Sequence, residues 1–143
     1  QYDVSPNNKI TAEVWYQNGI VGRPSDLSEA EREPDIVEYN DNGCVYCTYW
    51  YKNGKTHRDE DLPAAIERFR YCDIVSSHFW YKDGKMHRDS GPAFIVYNRD
   101  IFTKTERYYN NGILVNEIIT DLSKQLSGKR AEQLAQFIKL IEL

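Results

Sequence analysis

Short runs of alternating apolar and polar residues recur along the first 120 positions. In Val45-Tyr46-Cys47-Thr48-Tyr49-Trp50-Tyr51, successive side chains of an extended strand point to opposite faces. Tyr46, Thr48 and Trp50 then share one face, and Val45, Cys47, Tyr49 and Tyr51 the other. Such runs lead into an aromatic pair, two further residues and a glycine. The four copies are Trp15-Tyr16-Gln17-Asn18-Gly19, Trp50-Tyr51-Lys52-Asn53-Gly54, Trp80-Tyr81-Lys82-Asp83-Gly84 and Tyr108-Tyr109-Asn110-Asn111-Gly112. Asn-Gly and Asp-Gly supply the two positive φ angles of a type I′ turn, so each copy predicts a β-hairpin. Aligned on the glycines, Trp15, Trp50, Trp80 and Tyr108 form one column. Tyr16, Tyr51, Tyr81 and Tyr109 form a second on the opposite face, which predicts an aromatic ladder on each side of stacked units. The glycines are 35, 30 and 28 residues apart, a period that marks repeated supersecondary units.

A second strand follows each hairpin and opens with proline: Pro34 to Tyr39, Pro63 to Phe69 and Pro92 to Tyr97. Proline is tolerated at a strand's first residue and forces its predecessor to be extended. The middle copy has one extra residue before its aromatic, which predicts a bulge or a slipped ring there. Asn42-Gly43 offers a further turn. The fold class is therefore mainly β, an antiparallel meander of repeated β-hairpins over residues 1–120. Residues 121–143 change period. Leu134, Phe137, Ile138 and Ile141 share one helical stripe, with Asp121 as N-cap and Gly128 as a break. This segment is expected to be a helical cap packed on the array, with a partner-binding amphipathic helix as the alternative.

Composition narrows the function. At 143 residues the chain has the length of one domain. No apolar run is long enough to cross a bilayer, and no signal-like stretch opens the sequence. The first residue is Gln1 rather than Met, so the numbering can begin after a removed tag, start residue or leader. The net charge of −4 argues against a general nucleic-acid binder. Residues 1–43 hold nine acids against three bases, so the acidity is concentrated there. Three cysteines, an odd and small number, fit a reducing compartment, and the chain is expected to be cytoplasmic. Cys44 and Cys47 form a C-x-x-C, but residues three apart on a strand lie roughly 10 Å apart on opposite faces. A disulfide needs Cα atoms within about 7 Å. Packing is the expected role, with no metal and no cofactor.

The His-Arg-Asp of His57-Arg58-Asp59 recurs in His87-Arg88-Asp89. The same triplet occurs in kinase catalytic loops, but there it needs a downstream Asn, a glycine-rich loop and a lysine on a preceding strand. Those are not here in order, and no Ser or Cys accompanies both histidines as a nucleophile. No enzyme is expected. A structural account fits better. Arg58 or Arg88 can cover a Trp or Tyr face, and Asp59 or Asp89 can bond turn amides on the way to proline. The first copy, Gly22-Arg23, keeps the arginine alone. Trp15, Trp50, Trp80, Tyr108, His57, Arg58, His87 and Arg88 are thus assigned as the repeat's structural residues.

His87-Arg88-Asp89-Ser90-Gly91-Pro92-Ala93, and less closely His57 to Ala64, resemble the WYxNGxxHRxDGPA-type repeats of giant-virus and tailed-phage proteins, related to MORN-type β-hairpin repeats. The resemblance covers roughly residues 10–115 and not the tail. It implies a β-rich, non-enzymatic repeat scaffold of viral or mobile-element origin, with no catalytic residues to carry over. Together with the compact size and the lack of a catalytic constellation, the resemblance favours a protein partner, with the chain an inhibitor of a host defence or regulatory protein in the host cytoplasm. The alternatives are a structural or assembly protein, including a homo-oligomer joined at strand edges, and a nucleic-acid or small-ligand binder. Specificity in such scaffolds sits where the repeat is broken. The insertion from Arg23 to Pro34, in which Ser28 and Glu31 form a capping-box pattern, is the first candidate. Glu29, Glu31, Glu33 and Asp35 are its expected partner-binding residues. Lys52, Lys55, Lys82 and Lys85 flank the turns as a basic edge or as guards against strand aggregation.

Overall fold

The computed structural model describes residues 1–4, 9–24, 27–69 and 74–123. Its turns set its architecture. Asn18, Asn53, Asp83 and Asn111 have φ between 49° and 52°, and each following glycine is also positive, as type I′ turns require. Gly54 has a second constraint, because a Cβ there would lie 2.9 Å from Ile20 Cγ2 of the preceding hairpin.

Fifteen strands follow among the described residues: β1 (Tyr2–Val4), β2 (Ile10–Val14), β3 (Tyr16–Gln17), β4 (Ile20–Val21), β5 (Ile36–Tyr39), β6 (Val45–Tyr49), β7 (Tyr51–Lys52), β8 (Lys55–Thr56), β9 (Ala65–Arg68), β10 (Val75–Phe79), β11 (Tyr81–Lys82), β12 (Lys85–Met86), β13 (Phe94–Asn98), β14 (Thr103–Asn110) and β15 (Ile113–Asp121). Nine of them form one antiparallel sheet in the order β1-β2-β5-β6-β9-β10-β13-β14-β15. The other six form three two-stranded ribbons, β3-β4, β7-β8 and β11-β12. Each ribbon leaves where an aromatic strand ends and returns where its sheet neighbour begins, so all three stand at one end of the sheet.

The tryptophans make the division. The N–H groups of Trp15, Trp50 and Trp80 donate to Asp35, Ala64 and Ala93 O, each the residue just before β5, β9 or β13 of the large sheet, at 3.0, 2.9 and 2.8 Å. Their carbonyls accept from Gly22, His57 and His87 N, each the residue just after β4, β8 or β12 of a ribbon, at 3.1, 3.0 and 3.1 Å. One residue therefore serves two sheets. The fourth copy does not divide. Tyr108 pairs with Asn116, and β14 and β15 run through as one long hairpin with a register shift between Tyr108 and Tyr109.

Register places Val37, Thr48, Ile66, His78 and Ile95 in one row across one face. Ile36, Tyr49, Ala65, Phe79 and Phe94 form a row across the other. The apolar burial is thin. Val37, Cys47, Trp50, Ala64, Ala65, Trp80 and Ala93 are the buried hydrophobic residues described. Most of them lie beside the Trp column, where ribbon, corner and sheet converge.

Several expectations change here. The ladder is not ring upon ring. Among the described residues each indole is covered by an arginine of its own corner, and the column members make no ring contact with one another. The predicted bulge is not in β9. The irregularities fall at equivalent places on its neighbours, around Ser76 of β10 and Tyr46 of β6. The expected helix over residues 121–143 lies, from residue 124 on, outside the described residues, and no helix occurs among those described. Asp121 is the last residue of β15 and accepts from Ser123 N and Oγ at 2.9 and 2.6 Å.

Candidate functional site

The repeated His-Arg-Asp residues converge on the seams between consecutive units. Type I′ geometry holds each hairpin tip against the one before it, so Gly84 lies over Lys55 and Gly112 over Lys85. At the second seam, Gly84 N–H donates to Thr56 O at 2.9 Å, and at the third, Gly112 N–H donates to Met86 O at 2.8 Å. A histidine stands beside each of these bonds. His57 Nδ1 is 3.1 Å from Asp83 N, and His87 Nδ1 is 3.2 Å from Asn111 N. A backbone amide can only donate, so both Nδ1 atoms accept. Asp83 Oδ1 also lies 3.2 Å from His57 Nδ1. At His87 the amide belongs to Asn111, which brings no carboxylate, yet the geometry repeats, so the amide is the partner that defines the seam. The proton of each ring therefore sits on Nε2, which donates to Asp59 Oδ1 at 2.8 Å or Asp89 Oδ1 at 2.9 Å.

The arginines complete the seams. Arg23, Arg58 and Arg88 lie over the Trp15, Trp50 and Trp80 rings with guanidinium carbons 3.6, 4.0 and 4.0 Å from the ring centroids. Arg58 also donates to Glu29 O from Nε and Nη2, at 3.2 and 2.6 Å. Arg88 grips both oxygens of Asp61 at 2.8 and 2.7 Å. The Arg88 fork, helped by Ser90, holds the Asp61 carboxyl below its usual range. Indole N–H groups bond backward to the previous corner, Trp50 to Arg32 O at 3.0 Å and Trp80 to Asp61 O at 2.9 Å. A shallow cleft of about 230 Å³ opens at the second seam, lined by His57, Arg58, Asp61, Trp80, His87 and Arg88.

The first seam has no histidine, because Gly22 stands where His57 and His87 stand later. The insertion takes its place. Arg32 donates to Tyr51 O at 3.1 Å and pairs with Asp35 at 3.0 Å and Glu29 at 3.2 Å. Asp35 accepts from Arg23 N and Tyr51 N, both at 2.6 Å. Its carboxylate is fully buried. Ser28 and Glu31 do bracket a single turn, with Arg32 N–H donating to Ser28 O at 3.0 Å and Ser28 Oγ donating to Glu31 Oε2 at 2.7 Å.

The four expected contact residues are thus separated. Asp35 is inside and is not available to a partner. Glu29 is largely covered, with 20% of its side chain exposed. Glu31 and Glu33 are exposed, and Glu33 forms an ion pair with Arg23. Sequence reading missed the interior role of Asp35, although its alignment with Ala64 and Ala93 was a usable signal, since both alanines are fully buried.

Cys47 is buried and burial pushes its thiol up to about 11, while Cys44 is exposed just outside β6. Cys72 lies outside the described residues. No group of three His, Cys, Asp or Glu among the described residues could hold a metal ion. No helix among them is long and apolar enough to cross a membrane.

Asp59 titrates with the seam. Its hydrogen bond to His57, then that to Lys52, lower its carboxyl from the usual 3.8 to about 2. The folded state favours the ionised form, so this stabilisation is complete above 3.8 and fades as the pH falls towards about 2. Replacing His57 and His87 together with glutamine is expected to lower stability by about 1–3 kcal/mol and to flatten that acid dependence. Chemical denaturation across this pH interval measures both. An unchanged unfolding free energy would contradict the seam role.

Comparison with known protein families, curated proteins and solved structures finds no match to the chain.

Proposed function

We propose that the chain is a non-enzymatic protein-binding module built on MORN-like β-hairpin repeats. In this reading a virus or phage encodes it to inhibit a defence or regulatory protein in the host cytoplasm. The observation that carries the reading is the division of the first-corner insertion into two sides. Glu29, Arg32 and Asp35 fasten it to its own corner and the second hairpin, while Glu31 and Glu33 remain exposed. A loop fixed from within and acidic without presents a preorganised surface, which lowers the ordering cost of binding. Its charge favours a basic patch on the partner. The histidines support a non-catalytic role, since both ring nitrogens of each are engaged within the seams.

Reversing Glu31 and Glu33 to lysine tests this. The full chain, immobilised and exposed to host lysate, is expected to retain one protein. The double variant is expected to bind that protein at least about tenfold more weakly with little change in melting temperature. Unchanged affinity would remove the insertion as the contact surface.

A further inference from the structure

We propose that the chain forms a symmetric dimer in which β15 of one copy pairs antiparallel with β15 of a second. The two ends of the large sheet differ. β1 has three residues, whereas β15, although its register with β14 shifts beside Val115, runs on regularly from Asn116 to Asp121. Very short edges resist further pairing. β15 has nine residues and no proline, and among the described residues it pairs with β14 alone. Ile113, Leu114, Val115, Ile118 and Ile119 along it are between 42% and 71% exposed. A long apolar edge of this kind is a template for another strand.

Backbone direction and charge select the second strand. Ala93 N–H donates to Arg107 O at 2.9 Å, so the peptide groups of Arg107 face β13 and those of Glu106 and Tyr108 face β15. Their partners on β15, Ile118 and Asn116, turn their own groups inward. Leu122 N–H, bonded to Phe102 O at 2.7 Å, continues the alternation. The peptide groups of Glu117 and Ile119 therefore point out of the sheet edge. A two-fold axis at Ile118 lets Glu117 of each copy exchange backbone bonds with Ile119 of the other. It also sets Ile118 against Ile118, Asn116 against Thr120 and Asp121 against Val115. An axis at Glu117 would place the two Glu117 carboxylates face to face, and one at Ile119 would oppose Glu117 to Asp121. The Ile118 axis avoids both repulsions, and Glu117 is already ion-paired with Arg107 of its own copy. The pairing uses both β15 edges and is closed, so growth stops at two copies. It is independent of the acidic insertion.

Sedimentation of the full chain over rising concentration tests the dimer. A monomer–dimer equilibrium is expected. Ile119→Glu sets a second carboxylate against Glu117 of the other copy and is expected to weaken it by at least about tenfold while the far-ultraviolet circular dichroism stays unchanged. Ile118→Cys, mildly oxidised, is expected to give a covalent dimer whose peptide map joins position 118 of the two copies, since directly opposed Cα atoms of a non-hydrogen-bonded pair are about 4.5 Å apart. A monomer at every concentration would overturn the proposal. So would a dimer indifferent to Ile119→Glu, or a cross-link that maps to Cys44.

Discussion

Replacing Trp50 with alanine is expected to lower the unfolding free energy by about 3–5 kcal/mol. Trp50 is 6% exposed and joins three parts of the fold. Its backbone links sheet to ribbon, its indole N–H bonds Arg32 O of the insertion, and its ring carries Arg58. Alanine keeps the backbone bonds. It removes the ring, leaves the Arg32 carbonyl without that donor, and takes away a cation–π contact worth about 0.5–2 kcal/mol. The cavity has no neighbouring ring to fill it, because the column members do not touch. Trp15→Ala should cost less, since Trp15 is only half-buried in the outermost unit. Urea denaturation of the two variants measures the difference. A loss below about 1 kcal/mol for Trp50→Ala would show that the junction does not depend on its indole.

Asp35→Ala is expected to cost a similar about 3–5 kcal/mol, for an electrostatic reason. Alanine fits sterically, as Ala64 and Ala93 occupy the equivalent place in the next two corners. What is lost is the acceptor for two backbone N–H groups and for buried Arg32. Removing Arg32 as well should restore part of the loss. The third corner has Ser90 where Arg32 stands, so Asp35→Ala with Arg32→Ser imitates a natural pairing of residues. The double variant is expected to lose less than the sum of the single losses, with coupling of about 0.5–3 kcal/mol. Strict additivity would mean that the pair does not act as a unit.

The repeat and its turns were readable from the chain because they rest on local chemistry. Asn-Gly and Asp-Gly dictate backbone angles wherever they fall, and alternation assigns faces without knowledge of neighbours. Arg58 and Arg88 over their tryptophans were readable for the same reason. The nonlocal consequences were not. Whether His57 reaches Asp83, 26 residues away, depends on how hairpins stack, which no single unit specifies. The acidic residues from Glu29 to Asp35 read as one contact set, because charge alone does not reveal that Asp35 is fully interior and Glu29 largely covered while Glu31 and Glu33 stay exposed. The extra residue near Pro63 suggested a bulge in its own strand, yet the large sheet absorbs irregularity at Tyr46 and Ser76, where the repeat itself demands it. The exposed edge of β15 could not be seen in advance, since its apolar residues resemble those of any interior strand until it proves to be the last one paired among the described residues.

The central claim is that each repeated histidine joins one hairpin to the next through a fixed tautomer. A long-range proton–nitrogen NMR spectrum of the two imidazoles at mildly alkaline pH tests it most directly. His57 and His87 are both expected to carry their proton on Nε2, with Nδ1 showing the shift of a hydrogen-bond acceptor that disappears when the following turn is disrupted. A proton on Nδ1 of either ring, or tautomers averaging as in a free side chain, would contradict it.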